Sequence, residues 1–463
     1  MKSLRALLRT KTLENIMKEA KENPLKKTLG AMDLMLMGIG AAIGTGIFVL
    51  TGIAAAQHAG PAIAISYALA GLVCIFVGLA YTELASAVPV SGSAYSYTYI
   101  VLGEFVAWLV ACGLVLGYAV NASTVAAGWS GYFVGILKQG GFEIPYYLTK
   151  SPSEGGIINL PAVSIALFTG LLLFHGTRES ILINRVLVVL KLVIIFFFLV
   201  IAVPHIKIEN YSNFFPFGFD GVLSGAAMIF FAYLGFDAVA TTAEECKNPK
   251  RDIPIGLIGG LLVCTLIYVV VALTLTGIVN FSTLNNAEPM ARALRDNGSN
   301  LGSAMIATGA IAGMVAVLLV MMFGQSRIFF AMSRDGLLPA FFCKIHKKHG
   351  TPYLNCLFVT LIVCLVAGFM PIHVMGQMCS VGSLFAFAIV SIGVVILRIR
   401  RPALHRPFIC PAVFVIAPLA VAGCSYLIYV LMKEVGKPTL VWFAIGTVFY
   451  FLYSHKKSHL HKK

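Results

Sequence analysis

The apolar residues of this chain are gathered into runs of membrane-spanning length, and that feature leaves few folds open. A helix that crosses the hydrocarbon core of a bilayer needs about 20 mostly apolar residues. Twelve runs meet the requirement, near 33–57, 61–85, 104–128, 157–174, 183–204, 221–243, 253–279, 301–325, 353–371, 375–397, 409–432 and 438–454. The hydrocarbon layer offers no water to a free amide, so each run is expected to bond within itself as a helix. Twelve is even, which predicts both chain ends on one side. Composition agrees: 59% of residues are hydrophobic and 11% charged, against roughly 25% charged in soluble proteins. A soluble globule, a disordered chain and a collagen-like fibre are excluded. An all-α integral membrane protein of about 12 transmembrane helices remains.

The net charge of +15 would point to nucleic acid in a soluble protein. Placed on this topology it has another meaning. With the N-terminus inside, 26 of the 34 Lys and Arg fall on the inner side, 7 on the outer side, and Lys191 within the fifth run. Basic residues are retained on the cytoplasmic side. The split therefore predicts both termini cytoplasmic in a cell (plasma) membrane, with the lipid bilayer as partner and no nucleic acid. Connecting segments are short and leave no room for a soluble catalytic or receptor domain. The ten cysteines include no CxxC pair, and Cys74, Cys112, Cys264 and Cys364 lie in apolar runs as small hydrophobes. No metal site is expected, including at His455, His459 and His461 of the basic tail. The basic N-terminal arm lacks the apolar core of a signal peptide.

Two runs look broken. The first contains Gly38-Ile39-Gly40-Ala41-Ala42-Ile43-Gly44-Thr45-Gly46-Ile47-Phe48. Glycine costs about 1 kcal/mol against alanine inside a helix. A break there would free backbone N–H groups at the start of the outer half-helix, an end that favours a carboxylate. Helix packing through Gly40-x-x-x-Gly44 is the competing reading. The sixth run contains Phe230-Phe231-Ala232-Tyr233-Leu234-Gly235-Phe236-Asp237. Unwinding would present the carbonyls of Phe231, Ala232 and Leu234 to an ammonium group. Interrupted helices in two oppositely directed halves point to a transporter binding site, and opposed half-helix ends suit a zwitterion. Tyr233 and Phe236 are gate candidates or simple packing; Asp237 is a gate candidate or a paired structural carboxylate.

Lys191 sits near the middle of Val186–Val200. An ammonium there costs at least about 2.5–3.5 kcal/mol, so it is expected to face polar partners, where a lysine can serve as a proton carrier. Snorkelling to the membrane surface remains the alternative. Glu83, Glu244, Glu245, Arg251, Arg327, Arg334 and Asp335 lie at inner span ends, read mainly as a solvated face and otherwise as an inner gate.

The glycine-rich first run resembles the signature of the amino acid–polyamine–organocation (APC) superfamily. The likeness extends through Pro89-Val90-Ser91-Gly92-Ser93-Ala94-Tyr95, the sixth-run segment with Glu244-Glu245 and Asn248-Pro249, Arg251-Asp252-Ile253-Pro254, Gly324-Gln325-Ser326-Arg327 and Ala331-Met332-Ser333-Arg334-Asp335-Gly336-Leu337-Leu338-Pro339. Together these are similar to the bacterial members of the cationic amino acid transporter branch, over about residues 26–454. The resemblance implies a leucine-transporter-type fold: a 5+5 inverted repeat with broken helices 1 and 6, plus two C-terminal helices. The segments would be a cytoplasmic arm 1–31, repeats 32–204 and 221–398, spans 409–454 and a tail 455–463. It implies that Ile43, Gly44, Thr45, Gly46, Phe231, Ala232 and Leu234 hold the amino acid backbone. It also implies that Lys191 stands where sodium-coupled relatives hold their ion, and couples proton movement to uptake.

One position departs from that branch. Cationic-selective members often carry a glutamate in the third span, where this chain reads Leu116-Gly117-Tyr118. Gly117 cannot counter a cationic side chain and would leave space in the site. The expectation is proton-coupled uptake of neutral amino acids by alternating access, with no other cofactor and no enzymatic activity. Cationic uptake, exchange, or a membrane amino acid sensor are the alternatives. Protein partners are not specified by the sequence.

Overall fold

The computed structural model describes residues 9–10, 29–88, 92–175, 180–241, 246–346 and 351–459, without the side chains of 175, 180–185 and 241. Glu244, Glu245, Arg178, His461, Pro89, Val90, Ser91 and most of the N-terminal arm lie outside the described residues. What is described is helical, with no β-strand among the described residues.

The helices are α1 (Ala31–Ala42), α2 (Ile63–Ala87), α3 (Ser93–Val101), α4 (Glu104–Val115), α5 (Asn121–Gln139), α6 (Leu160–His175) and α7 (Ser180–Ala202). They continue as α8 (Gly218–Ile229), α9 (Ala238–Thr241), α10 (Pro249–Ile278), α11 (Asn300–Arg334), α12 (Tyr353–Phe369), α13 (Ile372–Arg400) and α14 (Val413–Phe449). Eight helical stretches are long and apolar enough to cross a membrane, and three shorter apolar helices accompany them. Two of the eight, Gly46–Ala87 and Val413–Lys457, run to 42 and 45 residues. At 1.5 Å per residue each exceeds twice the hydrocarbon thickness. Each also contains a bend, at Gly60 with φ +60° and at Val435, where the backbone leaves the helical region. The chain is a multi-pass membrane protein; a count of twelve crossings stays an expectation.

The side chains explain why this fold needs lipid. On α7, Val186, Val189, Val193, Phe196 and Val200 are exposed, while Val188, Lys191, Ile195, Phe198 and Ala202 are buried. These are the two faces of one helix at three- and four-residue spacing. The outward face is as apolar as the inward one, so hydrocarbon must cover it. Lys191 lies on the inward face, 1% exposed, which disposes of the snorkelling reading.

Glu83 at the end of α2 corrects the expectation of a solvated face. It is 1% exposed and receives Arg398 through Nε at 2.9 Å and Nη2 at 2.7 Å. Arg406 Nε lies 3.2 Å away, and the Cys410 amide donates at 2.8 Å. This network ties α2 to the α13–α14 junction. Removing one partner of a buried ion pair costs about 3–5 kcal/mol, because the other charge is stranded. Glu83→Ala is therefore expected to lower the detergent melting temperature by several degrees, read by tryptophan fluorescence on heating; an unchanged midpoint would show the network to be energetically idle.

The chain ends meet on one face. The Glu104 amide donates to the Arg9 carbonyl at 3.0 Å, and Ser458 Oγ donates to the Glu104 carboxylate. Arg9 belongs to the N-terminal arm and Ser458 to the tail, so Glu104 brings the two segments together.

Candidate functional site

Both expected breaks are present. α1 stops at Ala42, Ile43 is extended at φ −75°, ψ 98°, and helix resumes as a π-turn at Gly46–Leu50. α8 passes into a 3₁₀ turn at Phe230–Tyr233, Leu234 is extended, and Gly235 takes φ +108°. Only glycine adopts that φ without strain, and a Cβ there would press on Ala41 at 2.8 Å. Short α9 then follows.

The breaks face each other. A Cβ built on Gly46 would lie 2.5 Å from both Cα and Cβ of Ala232. Ile43, Thr45, Ala232 and Tyr233 are completely buried, and Phe231 and Leu234 nearly so. Thr45 Oγ1 is buried with no hydrogen-bond partner among the described residues. Gly128 of α5 gives the Thr45 side chain its room, since a Cβ at Gly128 would meet Thr45 Cγ2 at 2.5 Å. Gly128 also lines a polar cavity of about 230 Å³, with Ser130, Asn159, Asn285 and Asn286 among its walls.

Lys191 reaches the first break. Its Nζ donates to the carbonyls of Gly40 at 2.8 Å and Ile43 at 3.0 Å. These belong to the last turn and C-cap of α1, where carbonyls lack helical partners and carry partial negative charge. The ammonium thus closes the end of a half-helix. Gly313 of α11 provides the slot, because a Cβ there would lie 3.0–3.4 Å from the lysine stem.

Tyrosines brace the unwound segments, a feature that sequence reasoning missed. Thr51 Oγ1 donates to Ile47 O at 2.9 Å and pairs with Tyr67 OH at 2.6 Å. Tyr233 OH donates to Tyr67 O at 2.8 Å, and Tyr268 OH donates to Ala232 O at 2.7 Å. The rings of Tyr67 and Tyr268 lie 5.1 Å apart, those of Tyr233 and Tyr268 5.3 Å. One lone pair of the Ala232 carbonyl is already engaged, and Tyr233 is tied to α2 through its hydroxyl. Phe236 packs among aromatic rings, 4.9 Å from Phe387 and 6.1 Å from Tyr81. Asp237, 4% exposed, accepts from Tyr118 OH at 2.8 Å.

Gly117 is placed differently from its expectation. It lies in the π-turn Leu116–Val120, and the direction a side chain would take is filled by Ser383 Oγ of α13. The missing side chain makes room for a neighbouring helix. Its neighbour Tyr118 is the third-run residue that reaches the sixth-run break. The titratable signal for that pairing, an acid beside a break, was visible at Asp237; the donor was not. Among the described residues no group of His, Cys, Asp and Glu is arranged to hold a metal.

Two apolar helices broken against each other are the arrangement from which membrane carriers build a binding site. Residues 29–453 match the amino acid permease family. The chain belongs to that family, within the APC superfamily. It is 42% identical to the methylthioribose transporter of Bacillus subtilis (strain 168), covering 99% of this chain and 100% of that one. It is 43% identical to the branched-chain amino acid permease BcaP of the same organism, covering 99% of each. The cationic amino acid transporter 4, vacuolar, of Arabidopsis thaliana is 35% identical over 86% of this chain and 68% of its own length. Family and relatives point to a transporter rather than an enzyme.

Proposed function

We propose that this permease takes up neutral amino acids together with protons, by alternating access in the cell (plasma) membrane with both termini cytoplasmic. The observation that carries the reading is the contact of the two breaks, with Lys191 bonded to the end of α1. The substrate carboxylate binds at Gly44, Thr45 and Gly46, where a helix start favours an anion and Thr45 Oγ1 awaits a partner. The ammonium binds at the carbonyl of Leu234 and at the second lone pairs of Ile43, Phe231 and Ala232 O, whose first lone pairs are engaged by Lys191, the Leu234 amide and Tyr268. Lys191 carries the proton, and Phe236 and Asp237 gate the path.

Two things support a neutral substrate. The Asp237 carboxylate beside the break is engaged by Tyr118. The relative that is 43% identical is named for branched-chain amino acids. The methylthioribose relative supplies a rival of another class, a neutral polar solute with no α-carboxylate.

Competition in detergent tests this directly. A ligand at a hundred times its Kd stabilises the fold by about 2.7 kcal/mol, which a melting curve resolves. Branched-chain and other neutral amino acids are expected to raise the midpoint, with lysine, arginine and methylthioribose weaker. A shift from arginine or methylthioribose alone would overturn the assignment. Uptake into proteoliposomes under an imposed pH gradient, at fixed sodium, then tests the coupling ion.

A further inference from the structure

The face where the N-terminal arm meets the tail holds two acids that the transport reading leaves unused, Glu104 buried and Asp335 half-buried. Glu104, at the start of α4, is 2% exposed. Its carboxylate accepts from Tyr99 OH at 3.0 Å, Tyr450 OH at 3.0 Å and Ser458 Oγ at 2.5 Å. Asp335, just past α11, accepts from Tyr95 OH at 2.7 Å, and its carbonyl receives the His459 amide at 3.1 Å. Ser454 Oγ donates to Leu337 O at 2.7 Å. Ser454 and Ser458 are fully buried, although the tail around them is basic and polar. A hydrophilic segment that leaves water at a membrane protein's surface must be held by specific bonds, and hydrogen bonds to a carboxylate are the strong kind. Gly336 completes the seat: at φ +81°, a Cβ there would meet Lys457 O at 2.7 Å and the His459 ring at 2.9 Å.

We propose that Tyr450–His459 is a latch that clamps the ends of α4 and α11 together on this face, with Glu104 as its catch. These helices flank the site. α4 runs on into Tyr118, which bonds Asp237; α11 carries Gly313 against Lys191 and Met321 against Gly235. Opening the site toward this face requires their ends to part from the elements between them. The Tyr450 and Ser458 hydroxyls are bound to the same carboxylate, so the latch engages at two points eight residues apart in sequence. The N-terminal arm shares the seat through Arg9 O on the Glu104 amide. Release of the tail speeds this opening, and seating it slows turnover without touching the substrate.

The test compares the full chain with Ser458→Ala, Tyr450→Phe and a chain ended after His455. The readouts are equilibrium substrate binding, counterflow in proteoliposomes and hydrogen exchange at Asp335–Phe342. The inference rests on alternating access alone. Counterflow needs no ion gradient and uses whichever solute binds, so failure of proton coupling or of the neutral assignment leaves it standing. Expected are binding within twofold of the full chain, counterflow raised at least threefold by truncation and less by each point change, and faster exchange at Asp335–Phe342. Should truncation prevent folding, the two point variants decide, since each removes a single hydroxyl. Unchanged or slower counterflow with native binding overturns the latch, as does unchanged exchange around Asp335.

Discussion

Lys191→Met is expected to reduce pH-gradient-driven accumulation at least tenfold while the protein still folds and binds its substrate. Methionine has a similar length and no charge, and Lys191 is buried on a face that is otherwise apolar, so the fold loses little packing. What disappears is a pair of donors to Gly40 O and Ile43 O. A hydrogen bond from a charged group contributes about 1.5–3 kcal/mol. Two of them hold the end of α1 by about 3–6 kcal/mol, and 1.4 kcal/mol is a factor of ten in a population. The neutral amine keeps two N–H groups and can still reach both carbonyls, so protonation strengthens the hold rather than creating it. On the proposed coupling, loss of the proton would loosen α1 without removing its tether. Gly313→Ala tests the same slot from the other side, since its Cβ would sit 3.0–3.4 Å from the lysine stem; a partial loss of accumulation is expected. Full gradient-driven accumulation in Lys191→Met would remove the lysine from the coupling mechanism.

The spans and breaks could be read in sequence because each is imposed by local physics. Lipid demands about 20 apolar residues per crossing, and a glycine cluster inside such a run is costly unless the helix stops there. Lys191 was legible for the same reason, as one charge where none is cheap. What joins the elements was not legible. Glu83 looks like any acid at a span end, and its partner Arg398 is 315 residues away. Glu104 finds Tyr450 across 346 residues. Tyr268 is an unremarkable aromatic in the seventh run until α10 is packed against the unwound Ala232. Gly117 shows the opposite error: sequence reveals that a side chain is missing but not which neighbour uses the space, here Ser383 rather than a ligand.

Gly46→Ala is expected to lower substrate affinity and transport by about 5- to 150-fold, the range that follows from the 1–3 kcal/mol cost of overpacking a filled interior. The added methyl would stand 2.5 Å from Ala232 Cα and Cβ and 3.1 Å from its N, closer than carbon atoms approach without displacement. Neither partner is free to yield. Ala232 is held through its carbonyl by Tyr268, and the segment after Gly46 is held by Thr51 and Tyr67. The displacement must therefore separate the two breaks, the one distance on which a zwitterion bridging them depends. Gly393→Ala is the matched control, because a Cβ there meets nothing within 4 Å; its affinity is expected to equal the parent's. The two variants are compared by melting without ligand and then by titration with the preferred amino acid. A Gly46→Ala protein that melts like the parent and binds with parental affinity would mean that the substrate is held elsewhere than between the broken helices.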